Sequence, residues 1–203
     1  MSNCVIISGG SAFKNDFNYI NEDDFVICAD SGYKYALKYN IKVNLFVGDF
    51  DSFKGEIPSS IEIVKLNKIK DDTDTFHATL EGIKRGYKNF IFIGALGKRE
   101  EHTFANLSIL LYLKNRGFAG FLVKHKKKFV VLKNEKMVFP KKNKGFFSVF
   151  SVSEKAENVT IKNLKYTVEN ITLDNEFALG IDNEYIGLAP EVEVKKGTLL
   201  VVH

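Results

Sequence analysis

Up to about Phe121 the chain alternates short apolar runs with helix-compatible stretches, and this alternation limits its fold more than any other feature. The runs are Cys4 to Ser8, Phe25 to Ala29, Leu45 to Val47, Ile61 to Val64 and Phe90 to Ile93, all rich in β-branched residues. The clearest helical pattern between them spans Asp74 to Arg85. It puts Phe76, Leu80, Ile83 and Tyr87 on one stripe and Gly86 near the stop. A second runs from Glu100 to Arg116, with Phe104, Leu107, Leu111 and the stem of Lys114 on one face and Gly117 as its cap. Strands separated by helices need crossover connections, so this part predicts a mainly parallel α/β sheet with flanking helices.

Past Phe121 the pattern changes to short alternating segments without a helical stripe. Phe146 to Val152, Val159 to Ile161, Ile171 to Leu173, Glu184 to Leu188, Val192 to Val194 and Leu199 to Val202 read as strands. Turn signals such as Lys142-Asn143-Lys144-Gly145 and Lys195-Lys196-Gly197 separate them. The expectation is α/β plus all-β: residues 1–122 form the α/β domain, and residues 123–203 form a sandwich or open barrel.

With 203 residues, 45% hydrophobic and 27% charged, the composition is that of an ordinary globular protein. No apolar run reaches the ~20 residues of a membrane-spanning helix, and the first residues lack a basic leader. Cys4 and Cys28 sit in apolar runs, as small buried hydrophobes do, so a reducing cytoplasm is expected. The net charge of +4 is uneven, because Lys124 to Lys144 holds nine lysines and one acid, Glu135. Two readings fit that stretch: a nucleic-acid or anion-binding patch, or solvated hairpin faces. Phe129 to Leu132 within it reads as a core strand.

Carboxylates gather beside the apolar runs. Gly48-Asp49-Phe50-Asp51-Ser52 directly follows Leu45 to Val47. If that run ends a strand, the period of two puts Asp49 and Asp51 on one side and Phe50 on the other. Adjacent buried carboxylates repel, and Mg²⁺ bridging phosphates relieves the repulsion. A polar turn after a strand fits the same residues. Ala29-Asp30-Ser31-Gly32 follows the second strand, and Lys70-Asp71-Asp72-Thr73-Asp74 precedes a helix with Thr73 as its N-cap. Gly94-Ala95-Leu96-Gly97-Lys98-Arg99 joins strand to helix, where glycines admit an anion and Lys98 and Arg99 supply charge. It lacks the P-loop spacing. His102 and Asn106 could face the same place or form an exposed helix face. Asp72 reads as solvated and Lys70 as a phosphate contact. In open α/β sheets ligands bind at the carboxyl ends of the strands, where all four segments fall. Metal-dependent nucleotide-sugar transfer through Asp49 and Asp51, or non-catalytic nucleic-acid binding through Lys124 to Lys144, are the rival readings.

These four segments, with Glu100 to Asn106, Asn163-Leu164-Lys165-Tyr166 and Gly180-Ile181-Asp182-Asn183-Glu184, resemble the thiamine pyrophosphokinase (thiamine diphosphokinase) family of the bacterial type. The resemblance covers nearly the whole chain. It implies an ATP-binding α/β catalytic domain, a C-terminal β-sandwich holding thiamine, and a homodimer with thiamine near the interface. The activity implied is transfer of pyrophosphate from ATP to the thiamine hydroxyl, giving thiamine diphosphate and AMP, without nucleic acid or membrane partners. By motif position Asp49, Asp51 and Asp74 would bind Mg²⁺, with Asp71 near them and nominated as general base. Lys70 and Arg99 would meet the ATP phosphates, and Asp30, Ser52, Thr73, Gly97, Lys98, His102 and Asn106 complete the ATP side. Asp182 and Asn183 would contact the thiamine pyrimidine. The family usually has Asp where Glu101 stands and often Ser where Asp182 stands.

Overall fold

The structure is a computed structural model in which residues 2–51, 53–67, 69 and 71–203 are described. It forms two compact units, Met1–Lys126 and Lys127–His203. The first holds strands β1 (Cys4–Ile7), β2 (Phe25–Ala29), β3 (Leu45–Gly48), β4 (Glu62–Lys65), β5 (Asn89–Ile93) and β6 (Ala119–Lys124). Its helices are α1 (Tyr33–Tyr39), α2 (Asp74–Lys84) and α3 (Glu100–Asn115). The strands pair in parallel in the order β6-β5-β1-β2-β3-β4. β1 and β3 are buried along their whole length, which is why they read as unbroken apolar runs: both sheet faces are covered. Aromatic rings close one side, with Tyr33 edge-on to Phe46 at 6.0 Å and to Phe53 at 5.1 Å.

The helices differ from expectation in the faces they bury. On α2 the buried residues are Thr75, Ala78, Thr79 and Gly82, not the Phe76–Leu80–Ile83 stripe. Small residues let the helix sit close: a Cβ on Gly82 would lie 2.7 Å from Cys4 Sγ and from the Phe90 ring. On α3 the buried row is Asn106, Ile109, Leu110 and Leu113, whereas Phe104 is 72% exposed. This helix is apolar around most of its circumference, so spacing alone permits several stripes. Asn106 decides between them, because its Nδ2 donates to the Ala95 carbonyl at 2.6 Å. The ends follow expectation. Thr73 Oγ1 accepts the Phe76 N–H at 3.2 Å, and α3 closes with left-handed Gly117 and the Phe118 N–H donating to Leu113 O at 3.0 Å.

The second unit is all-β. Its strands are β7 (Lys127–Lys133), β8 (Lys136–Val138), β9 (Phe146–Ser151), β10 (Lys155–Lys162), β11 (Val168–Asp174), β12 (Gly180–Glu184), β13 (Glu191–Lys196) and β14 (Thr198–Val202). Antiparallel sheets β12-β9-β14-β7 and β11-β10-β13-β8 enclose a core that includes Leu132, Phe147, Val159, Val192, Leu199 and Val201. That is a sandwich. The strand expected over Glu184 to Leu188 instead lies at Gly180–Glu184, and Tyr185 makes only an isolated bridge to Leu164. Backbone approach explains the shift. A Cβ on Gly180 would stand 2.3 Å from Val149 O, and a register shift accommodates Asp182 at φ 55°. Cys4 and Cys28 are buried free thiols, and burial pushes Cys4 up to about 12. Among the described residues no helix is long and apolar enough to cross a membrane.

Candidate active site

The strand order of the first unit reverses between β1 and β5, and the crevice of such a sheet opens at the carboxyl ends there. The loops leaving these two strands are stitched together. Ser8 N–H donates to Ile93 O at 2.8 Å, Gly10 N–H to Gly94 O at 2.7 Å and Ser11 N–H to Leu96 O at 2.8 Å. The close approach requires glycine: a Cβ on Gly94, at φ 69°, would meet Ser8 O at 2.4 Å. Tyr35 Oη donates to Gly10 O at 2.6 Å and Lys98 Nζ to Gly9 O at 2.7 Å.

A cavity of about 350 Å³ opens beside these loops. Asp30 reaches it from the end of β2, Asp49 and Asp51 from the end of β3, and Thr73 and Asp74 from the start of α2. Gly97, Lys98, Arg99, His102 and Asn106 complete the wall from the β5–α3 connection. Asp49 and Asp51 share the cavity for a reason other than strand periodicity, since β3 ends at Gly48. Phe50 turns left-handed at φ 63°, and Asp49 Oδ1 accepts the Asp51 N–H at 3.0 Å. The Phe50 ring packs on Phe46 at 4.9 Å, leaving the acids to the cavity.

Asp30 and Asn106 are only 6% and 4% exposed, and Oδ1 of each has no hydrogen-bond partner in the structure. Asp30 also holds φ 40°. A buried unsatisfied acceptor costs about 1–3 kcal/mol, and such strain clusters at functional sites. The cations are already engaged. Lys98 holds the Gly9 carbonyl, and Arg99 Nε donates to Glu101 Oε1 at 2.6 Å. Its own backbone N–H, then Arg99, hold the Glu101 carboxyl below its ordinary value.

Several expected residues lie elsewhere. Asp71 lines a neighbouring cleft between α2 and α3, with Phe76, Ile109 and Tyr112. Asp72, expected to be solvated, is exposed and also stands 2.6 Å from His77 Nε2. Ser52 and Lys70 fall outside the described residues. Asp182 and Asn183 belong to the β unit. There the Asn183 amide clasps the Tyr166 backbone, accepting from N–H at 3.0 Å and donating to C=O at 2.6 Å. Asn183 borders an apolar cavity of about 270 Å³ with Tyr166, Ile171, Leu179 and Ile181. Ser8, Gly9, Gly10 and Thr75 also line the main cavity and escaped the sequence reading. Ser8-Gly9-Gly10, directly after an apolar run, was the available signal. The lysine stretch is partly folded into the β unit: Lys136 pairs with Glu191 at 2.7 Å, Lys142 stands 5.0 Å over the Tyr185 ring, and burial lowers the Lys128 and Lys142 pKa values.

The donors around the main cavity are hard oxygens, the chemistry Mg²⁺ takes. Among the described residues no three acidic, His or Cys side chains gather closely enough to cage an ion. Mg²⁺ usually takes one or two carboxylates and completes its shell with water and substrate phosphate, so this donor set fits it.

A parallel sheet with a glycine-walled, acid-rimmed cavity at its switch point is the ligand-binding arrangement of open α/β proteins. The family described as thiamin pyrophosphokinase, catalytic domain, matches residues 17–121. The chain belongs to that family, whose members are ATP-dependent diphosphotransferases acting on thiamine. No curated protein matches the sequence. Among solved structures, thiamine pyrophosphokinase from Bacillus subtilis is similar at TM-score 0.88 and 22% identity, over 98% of each chain. A thiamin pyrophosphokinase family protein from Enterococcus faecalis is similar at TM-score 0.85 and 24% identity, over 99% of this chain and 98% of that one. Thiamin pyrophosphokinase from Candida albicans is similar at TM-score 0.75 and 15% identity, over 99% and 88%.

Proposed function

We propose that the cavity at the β1–β5 switch point binds ATP with Mg²⁺, and that the thiamine hydroxyl attacks the β-phosphorus there. Thiamine diphosphate forms and AMP leaves. Asp49, Asp51 and Asp74 are the residues that would hold Mg²⁺, which supplies neutralising charge on the transferred phosphates. The single observation that carries this reading is that four acids from three separate segments, Asp30 after β2, Asp49 and Asp51 after β3 and Asp74 at the start of α2, line one cavity with the paired glycine turns. The Gly94–Arg99 loop and the start of α3 offer N–H groups to anionic oxygens. Lys70 and Arg99 meet the phosphates, and Asp30, Ser52, Thr73, Gly97, Lys98, His102 and Asn106 form the rest of the ATP side. Asp71, beside the cavity, takes the hydroxyl proton. Catalysis is positioning and charge neutralisation more than covalent chemistry.

The β unit supplies the thiamine side through Asp182 and Asn183. A second copy of the chain completes the enzyme as a homodimer. Support comes from the large apolar side chains this unit leaves exposed, including Phe146, Phe177, Leu179 and Ile181 at 54–69%. Two buried free thiols suit a cytoplasmic enzyme. The test is AMP formation from ATP and Mg²⁺ with and without thiamine. AMP release that requires thiamine is the expected result, and release indifferent to thiamine overturns the reading.

A further inference from the structure

The sequence places Lys124 at the head of the basic stretch, with no role in catalysis. The structure puts its ammonium elsewhere. Gly97, at φ 77°, has no side chain, and the space a Cβ would take is filled by Lys124 Nζ at 2.7 Å and Ser11 Oγ at 2.9 Å. Lys124 therefore reaches from the end of β6 to Gly97, which lines the main cavity, while Lys124 stands one layer outside that lining. A second contact holds this arrangement. Phe13, two residues past Ser11, stacks on His125 with ring centroids 3.3 Å apart, and His125 and Lys126 turn left-handed directly after Lys124. The loop after β1 and the end of β6 are thus fastened together where Lys124 and Ser11 meet.

Lys124 is half-buried as a residue, and no ion pair or hydrogen bond is found for its ammonium among the described residues. Lys98 and Arg99, the two cations on the cavity wall, already have partners in Gly9 O and Glu101. A partly desolvated ammonium without an acceptor is unfavourable on its own and becomes favourable when an anion arrives. We propose that Lys124 is a nucleotide-binding residue, an uncommitted cation among the described residues that holds the polyphosphate of the bound nucleotide from beside Gly97. This rests on the nucleotide reading of the main cavity and adds a residue to it. Its effect scales with phosphate charge: large for ATP, small for AMP, absent for adenosine.

The experiment compares wild type with Lys124→Met, Lys124→Arg and, as a control, Lys126→Met, whose side chain is exposed on the turn. Expected for Lys124→Met is a KM for ATP raised about tenfold with kcat within about threefold, a loss of the size of one charge-assisted contact. Lys124→Arg recovers most of the affinity, and Lys126→Met leaves both constants unchanged. Equilibrium titration with ATP and AMP, without thiamine, gives the second readout: Lys124→Met loses most of the preference for ATP. An unchanged ATP affinity in a folded Lys124→Met overturns the proposal. So does equal weakening of ATP, AMP and adenosine, which marks a structural role. If Lys124→Met does not fold, Lys124→Gln takes its place in the same titrations. Failure of the wild type to release AMP with thiamine rejects the diphosphotransfer reading alone, because the ATP-against-AMP titration still measures Lys124.

Discussion

The rim of the main cavity and the aromatic heart of the β unit treat buried polar groups in opposite ways. At the rim, Asp30 and Asn106 each leave a buried oxygen unsatisfied, and Asp30, Phe50 and Lys98 hold left-handed backbone at φ 40°, 63° and 68°. In the β unit His203 is 7% exposed, yet its Nδ1 shares a 3.1 Å hydrogen bond with Tyr185 Oη. Phe139 and Phe147 pack on the His203 ring at 4.9 and 5.8 Å. One region keeps polar groups waiting for a ligand; the other satisfies them internally. Unmet hydrogen bonds on buried side chains therefore gather at the rim, with Asp16 Oδ1 a further case away from it. Left-handed backbone, which Asn134, Asn158 and Asp182 also hold in the β unit, and burial of titratable groups do not by themselves mark the site.

If that contrast holds, changes at the rim should damage chemistry and changes in the β core should damage stability. The largest effect is expected from Asp51→Asn, which is exposed and outside any core. It should lower kcat/KM by about 10³-fold, roughly 4 kcal/mol of barrier, with the melting temperature unchanged. Near-normal AMP release by this variant would break the comparison at the rim. Phe147→Ala should do the reverse. It removes a fully buried ring from the sandwich core and should cost about 3–5 kcal/mol in urea unfolding.

A pH series sharpens the β side. Burial, then Lys142 and Lys128, lower His203 to about 4 from the ordinary 6.5. Above pH 6.5 both folded and unfolded chains carry neutral His203, and its contribution is fully present. As pH falls from 6.5 toward 4 only the unfolded chain takes the proton, so stability drops by something on the order of 3 kcal/mol across that window. His203→Phe should flatten that part of the stability–pH curve. An unchanged slope would show that His203 is hydrated in solution. The smallest effect on stability is expected from Thr73→Ala, which removes the hydroxyl accepting the Phe76 N–H and should lower stability by about 1 kcal/mol; because Thr73 also lines the cavity, the same variant should raise the KM for ATP.

The acidic loops were legible in the sequence because each directly follows an apolar run or opens a helix. The parallel sheet was legible for the same reason, since runs such as Val5 to Ile7 permit burial on both faces. Helix faces were harder to read. The contact surface of α2 is made of Thr75, Ala78 and Gly82, residues that a search for large apolar side chains passes over. In α3 the polar Asn106 sits on the buried face, and the sequence alone leaves it between a site-facing and an exposed position until its bond to Ala95 is seen. Lys124 was hidden by its surroundings: among nine lysines, only the bare face of Gly97 singles it out.

The most direct measurement follows the atoms. Wild-type enzyme is given ATP labelled at the β-phosphorus, with Mg²⁺ and thiamine, and the products are separated. The label should appear in thiamine diphosphate in a one-to-one ratio with AMP, and only when thiamine is present. Label recovered as inorganic phosphate or ADP, at a rate independent of thiamine, would contradict diphosphate transfer at this cavity.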